Sequence, residues 1–256
     1  MTAPNDLPLS RFTIVELNDA GMPAPLRLAL SLAGKIAADL GATVLKLEPE
    51  GGDPVRRLPP HLSNGESALF HFLNTSKRSV RLDRASLPDL LAKADACLFE
   101  EPSPLAEFVR KSQATPIEVA AFPNGMDASQ PLSEFTVLAL GGLLHMVGEP
   151  DRKPLRLGGH QASYAAGFAA FTGLAAALAA RDAGRKAPAV RVSLTEVMQW
   201  VNWKAASGAE ASGKSPGREG KGSEFQIVRC KDGYVAVVYT VTQWPATRAL
   251  IGDPRL

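Results

Sequence analysis

The chain has 256 residues, 45% of them hydrophobic, enough to bury one large core with chain left over for part of a second. Its 28 basic and 26 acidic residues leave a formal charge of +2, so the charge balance gives no reason to expect nucleic acid as a partner. Cys97 and Cys230 form no CxxC pair, which argues against a disulfide scaffold or zinc knuckle and fits a reducing, cytoplasmic setting.

The amino terminus, MTAPNDLPLSRF, lacks a charged segment followed by an apolar run, and the apolar stretch 162–180 is broken by Tyr164, Gly167, Thr172 and Gly173. Neither a signal peptide nor a membrane span is expected. FTIVEL (12–17) reads as a strand, LRLALSLAGKIAADLGA (26–42) as a helix closed by Gly41, and TVLKLE (43–48) as a second strand. This βαβ order requires a parallel sheet covered by helices. The alternation continues with strands at 79–83, 96–100 and 117–122 and a helix at 87–94. Further helices are expected at 133–146 and 163–181, then a strand at 190–194. The class is therefore α/β, a Rossmann-like parallel sheet flanked by helices.

Residues 206–223 are rich in Gly, Ser and Lys and offer no apolar face, so a flexible linker is expected there. Beyond it FQIVRC and YVAVVYT form a hairpin turning at Asp232 and Gly233, and QWPATRALIG opens a helix. A two-stranded hairpin does not stand alone, so the chain is expected to end inside a small second domain.

Three segments carry a family resemblance. DLGATVLKLEPEGGDPVRR (39–57), NTSKRSVRLD (74–83) and the stretch from SYAAG through LAAALAARDAGRKAPAVRVSL (163–194) resemble the family III CoA-transferases, which include the α-methylacyl-CoA racemases. The resemblance implies a Rossmann-like large domain over 1–205, the linker over 206–223 and the beginning of a small α+β domain over 224–256. It also implies coenzyme A as a substrate rather than a tightly bound cofactor. Its partners are then an acyl-CoA, a small carboxylic acid, and either a second copy or a homologous subunit.

Family transferases attack the thioester with an aspartate, which needs no base and leaves again readily. The resemblance puts that aspartate four residues before the glycine of the alanine-rich helix; the glycine is Gly167 and the position holds Ser163. The His position of the racemases falls on Ser133, followed by Glu134. Of the family's CoA contacts, Leu82 and Asp83 match adenosine-side positions, with Lys77 and Arg78 alongside, whereas Pro49, Glu101 and Ser103 replace an expected basic residue, Asn and Arg. Glu50 and Glu101 are expected to repel the phosphates of CoA.

From the residues themselves, Ser163 has two further readings: an N-cap of the following helix, or a nucleophile with His160 as base. Glu134 is expected to favour the start of its own helix. Trp200 and Trp203, three apart, are expected to form a packing face. GGDPVRR either binds phosphate through its backbone N–H groups and Arg56 or Arg57, or makes a plain turn closed by solvated arginines. His61, His71 and His145 have no partner at metal-ligand spacing, so no metal is assigned.

Overall fold

Strand β1 (Thr13–Leu17), helix α1 (Ala24–Asp39) and strand β2 (Thr43–Glu48) begin the fold with the expected parallel unit. A computed structural model describes residues 7–126, 131–214, 217–218, 225–238 and 241–254. Leu40 caps α1, and Gly41 follows at φ 100°, a left-handed conformation that favours glycine.

The chain then adds a short helix α2 (Ala68–Leu73), strand β3 (Arg78–Arg81), α3 (Leu87–Ala92), β4 (Ala96–Glu101), α4 (Ala106–Lys111) and β5 (Thr115–Ala120). Helices α5 (Glu134–Leu140) and α6 (Gln161–Asp182) precede β6 (Val190–Ser193). The six strands form one parallel sheet in the order β3-β2-β1-β4-β5-β6. Strand order reverses between β1 and β4, which places a switch point at their carboxyl ends.

Alternate strand residues feed two cores. Ile14, Val44, Leu98, Ile117 and Val192 pack beneath α1, α5 and α6, while Val15, Leu17, Leu47, Cys97 and Phe99 pack against α3 and α4. Among the described helices, α6 alone is long and apolar enough to cross a membrane; its buried line Ala162, Ala166, Ala170, Leu174 and Ala177 joins the first core. The contact with α1 is close because a side chain at Gly167 would meet Ala29 O at 2.8 Å and Leu32 Cβ at 2.9 Å. Glycine at this position lets the two helices touch.

Several expectations shift in detail. The helix expected at 133–146 stops at Leu140, and Leu143–Met146 is a 3-10 turn entered through Gly142 at φ 76°. Helix α7 (Leu194–Val201) is followed by α8 (Trp203–Ser212), so 206–212 is helical and not linker; much of the remaining segment lies outside the described residues. Trp200 and Trp203 fall on different helices and are 74% and 53% exposed, which corrects the packing-face reading. Strands β7 (Phe225–Arg229) and β8 (Tyr234–Val238) form the antiparallel hairpin, and α9 (Trp244–Ile251) follows.

Candidate functional site

The carboxyl edge of the sheet carries a cleft of about 670 Å³ at the switch point. Pro23 and Leu26 of the β1–α1 connection, Glu100 and Glu101 of β4, and Ala121 and Phe122 after β5 contribute to its walls. Leu132 and Met126 add apolar surface, and Arg110 and Arg191 supply positive charge. Arg110 pairs with Glu101 at 2.7 Å and with Glu118 at 3.3 Å, and Arg191 also pairs with Glu118. Glu101 is thus paired rather than a bare negative charge, and Glu50 lies 3.4 Å from Arg81. Both corrections weaken the expected repulsion of an anionic ligand.

Ser163 is fully buried, in the first turn of α6 and not at its cap, which is His160. Its hydroxyl donates to Glu134 Oε1 rather than to His160, whose ring instead meets Tyr164 edge-on at 6.1 Å. The N-cap and Ser-His readings are both corrected. Glu134 does more than start its own helix. Its carboxylate accepts the backbone N–H of Ala162 at 3.0 Å and of Ser163 at 3.1 Å, so it satisfies free donors at the start of α6 from the neighbouring helix. Helix α5 is capped by Ser133, which accepts from Thr136 N at 3.1 Å while Thr136 Oγ1 accepts from Ser133 N at 2.9 Å. Neither Ser163 nor Glu134 lines the cleft.

Lys77 is not available to a surface ligand. Its ammonium is buried and donates to Glu16 at 2.6 Å, Ser31 O at 2.7 Å and Asn74 Oδ1 at 3.0 Å. Burial lowers its pKa to about 8, with the Lys46 charge adding to the fall and Glu16 opposing it. Arg78 and Asp83 are exposed, and Leu82 is half-buried against the second core, its N–H donating to Glu48 O at 2.7 Å. Asp83 closes a turn by accepting Ala85 N at 3.1 Å.

Lys77 belongs to a buried ionic cluster. Glu16 and Lys46 are register partners on β1 and β2; Lys46 reaches Glu16 at 2.7 Å and Asp53 at 2.8 Å. Burial alone raises the Glu16 carboxyl, but Lys46 and Lys77 overcome it and hold it far below the usual carboxylate range. Burial also opposes the charge on Lys46, and Glu16 and Asp53 reverse that effect. Gly34 on α1 makes room, since a side chain there would collide with Glu16 Oε2.

Arg56 is likewise committed. It grips Glu48 through Nε at 2.9 Å and Nη2 at 2.7 Å and stacks 3.9 Å from the Phe70 ring centroid. Asp53 accepts Val55 N at 2.9 Å to cap a 3-10 turn at Pro54–Arg57. GGDPVRR thus forms a turn whose Asp53 joins the cluster, while Gly51, Gly52 and the part-exposed Arg56 line a small surface pocket with Arg81. Among the described residues no group of His, Cys, Asp or Glu could hold a metal ion.

A doubly wound parallel sheet with a cleft at its switch point defines a protein built to bind a ligand at the strand ends. The chain belongs to CoA-transferase family III, whose model matches residues 26–100 and 116–256. It is 31% identical to an acetyl-CoA:oxalate CoA-transferase of Acetobacter aceti over 204 residues, which cover 72% of this chain and 52% of that protein. It is 30% identical to subunit BbsE of a succinyl-CoA:(R)-benzylsuccinate CoA-transferase of Thauera aromatica, covering 90% of this chain and 59% of that one. The chain thus spans between half and three-fifths of the length of these relatives. A CAIB/BAIF family protein from Brucella suis superposes with a TM-score of 0.79 at 27% identity, covering 97% of this chain and 72% of that one.

Proposed function

We propose that this chain acts on an acyl-CoA and transfers CoA to a small carboxylic acid. The observation that carries the reading is the cleft at the β1–β4 switch point in a chain of this family. In such a reaction a carboxylate attacks the thioester carbonyl and CoA thiolate leaves, giving an acyl anhydride on the protein. The thiolate then attacks the protein-bound carbonyl, releasing the first acid and leaving a protein thioester. The acceptor acid attacks that thioester to form a new anhydride, and CoA thiolate returns to give the product. Ser163 stands where the resemblance calls for that carboxylate, and Glu134 is the carboxylate in contact with it.

A second reading, a non-catalytic subunit that pairs with an active homologue, is favoured by one observation: Ser163 and Glu134 are buried and engaged with each other, outside the cleft lining. Incubation of the purified chain with acetyl-CoA and oxalate or succinate, followed by chromatography of the thioesters, separates the two. The transfer reading expects a new acyl-CoA to form. Thermal stabilisation by acetyl-CoA without exchange supports the second reading. Absence of both effects at millimolar acetyl-CoA overturns the assignment of an acyl-CoA to this chain.

A further inference from the structure

Glu100, near the end of β4, lines the switch-point cleft and is only 4% exposed, yet its Oε2 is buried without a hydrogen-bond partner among the described residues. The groups facing it do not neutralise it. Asp19, after β1, and Glu101, beside it on β4, add negative charge; Arg27 of α1 is the nearby cation. Its Nη2 donates to Asp19 O at 2.7 Å and Met22 O at 3.3 Å, and its Nη1 faces Asp53 at 3.6 Å with no hydrogen-bond partner among the described residues, so none of its hydrogen bonds goes to Glu100. Glu101 in turn is held by Arg110 at 2.7 Å.

Burial, reinforced by Asp19 and Glu101 against Arg27, pushes the Glu100 carboxyl up to about 8. At neutral pH the group is therefore an acid with one O–H to donate. A buried polar group without a partner destabilises the fold, so its presence in a cleft wall calls for a ligand that satisfies it. The surrounding wall is apolar at Pro23, Leu26, Phe122 and Leu132 and polar at Glu101, Asn124, Arg110 and Arg191.

We infer that Glu100 is a ligand-reading residue of this cleft: it donates a hydrogen bond to a carbonyl or carboxylate oxygen of the bound substrate. The oxygen comes either from the acyl-CoA or from the acceptor acid, and the inference rests on the CoA-transfer reading for the identity of the ligand. Ionised Glu100 would repel such an oxygen, so the interaction exists only while the carboxyl keeps its proton.

The experiment uses the whole chain with two probes, acetyl-CoA and succinate, titrated calorimetrically between pH 6 and 9. For the probe that meets Glu100, binding is expected to weaken by about tenfold as the pH rises above 8. Glu100→Gln still donates, so it should bind within about threefold of the natural protein and show no such pH dependence; Glu100→Leu should lose about tenfold at pH 7. In parallel, carbon-13 carboxyl resonances of the free protein, assigned by difference with Glu100→Gln, should show a midpoint near 8 that moves upward when the probe binds. A midpoint in the ordinary glutamate range, or one that neither probe moves, overturns the inference. Acyl exchange that proceeds equally well in Glu100→Leu and without the pH dependence overturns it while leaving CoA transfer standing. A midpoint moved by a probe in a chain that exchanges nothing does the reverse.

Discussion

The hydroxyl of Ser163 donates to the carboxylate of Glu134, so two side chains 29 residues apart meet in a buried site. That contact joins α5 to the amino terminus of α6, where Glu134 also accepts two backbone N–H groups. It decides what placing an acid at position 163 would do. Ser163→Asp places two carboxylates together in a buried site, where both cannot stay ionised without cost. It is expected to destabilise the fold by about 2–4 kcal/mol. The double variant Ser163→Asp/Glu134→Gln supplies a donor opposite the new acid and should recover most of that loss. Urea denaturation of both variants at pH 7 checks the sign, and equal stability of single and double variants refutes the pairing.

Removing the hydroxyl alone has a smaller effect. Ser163→Ala leaves Glu134 with its two backbone donors, so the expected loss is about 1–2 kcal/mol. A loss as large as that of Ser163→Asp would mean that the hydroxyl, and not charge repulsion, dominates the site.

The sheet was legible because its strands are short apolar runs between helical periods, and TVLKLE matches β2 residue for residue. Helices α2 and α4 went unread; α3 is just as short, but its LPDLL segment with Pro at the first turn marks a helix start that α2 and α4 lack. The site was less legible. Ser163 could be flagged from its distance to Gly167, but its partner Glu134 is 29 residues away and no local pattern joins them. The resemblance sets Lys77 with Arg78 beside the CoA contacts, and only the fold turns it inward onto Glu16. One signal was present and unused: charged residues inside two buried strands, Glu16 in TIVEL and Lys46 in TVLKLE, meet directly when those strands pair in register.

Lys46 is the shared cation of that cluster, facing both Glu16 and Asp53. Lys46→Met keeps the volume and removes the charge, leaving Asp53 with Arg27 at 3.6 Å and Glu16 with the Lys77 charge and the neutral donors Asn18 and Ser31. Breaking a buried pair from one side is expected to cost about 3–5 kcal/mol. Chemical denaturation measures it; a change within about 0.5 kcal/mol would show that the cluster contributes nothing beyond packing.

Gly167 tests the α1–α6 contact. Gly167→Ala forces a methyl group against Ala29 O and Leu32, both belonging to a packed helix that cannot yield like a surface side chain. The expected cost is about 1–3 kcal/mol, despite the better helix propensity of alanine. Stabilisation by this substitution would mean that the helices part without penalty.

The acid limb of stability should report Glu48. Burial alone would raise its carboxyl, but Arg56, Ser79 and the Asp53 N–H all donate to it and bring it down to about 2 from an ordinary 4.5. A carboxyl depressed in the folded state stabilises above its unfolded pKa and loses that stabilisation as the pH falls through the folded one. The melting temperature is therefore expected to decline as the pH is lowered from about 4.5 towards 2, with Glu16 adding to the same trend. Arg56→Met removes two of the donated hydrogen bonds and raises the Glu48 carboxyl, so the decline becomes smaller and ends at a higher pH. Because Arg56 is 42% exposed, the loss at pH 7 should stay near 1 kcal/mol. Melting curves of the natural chain and Arg56→Met across pH 2–7 decide the matter: superimposable profiles would show that the arginine grip does not set the Glu48 titration.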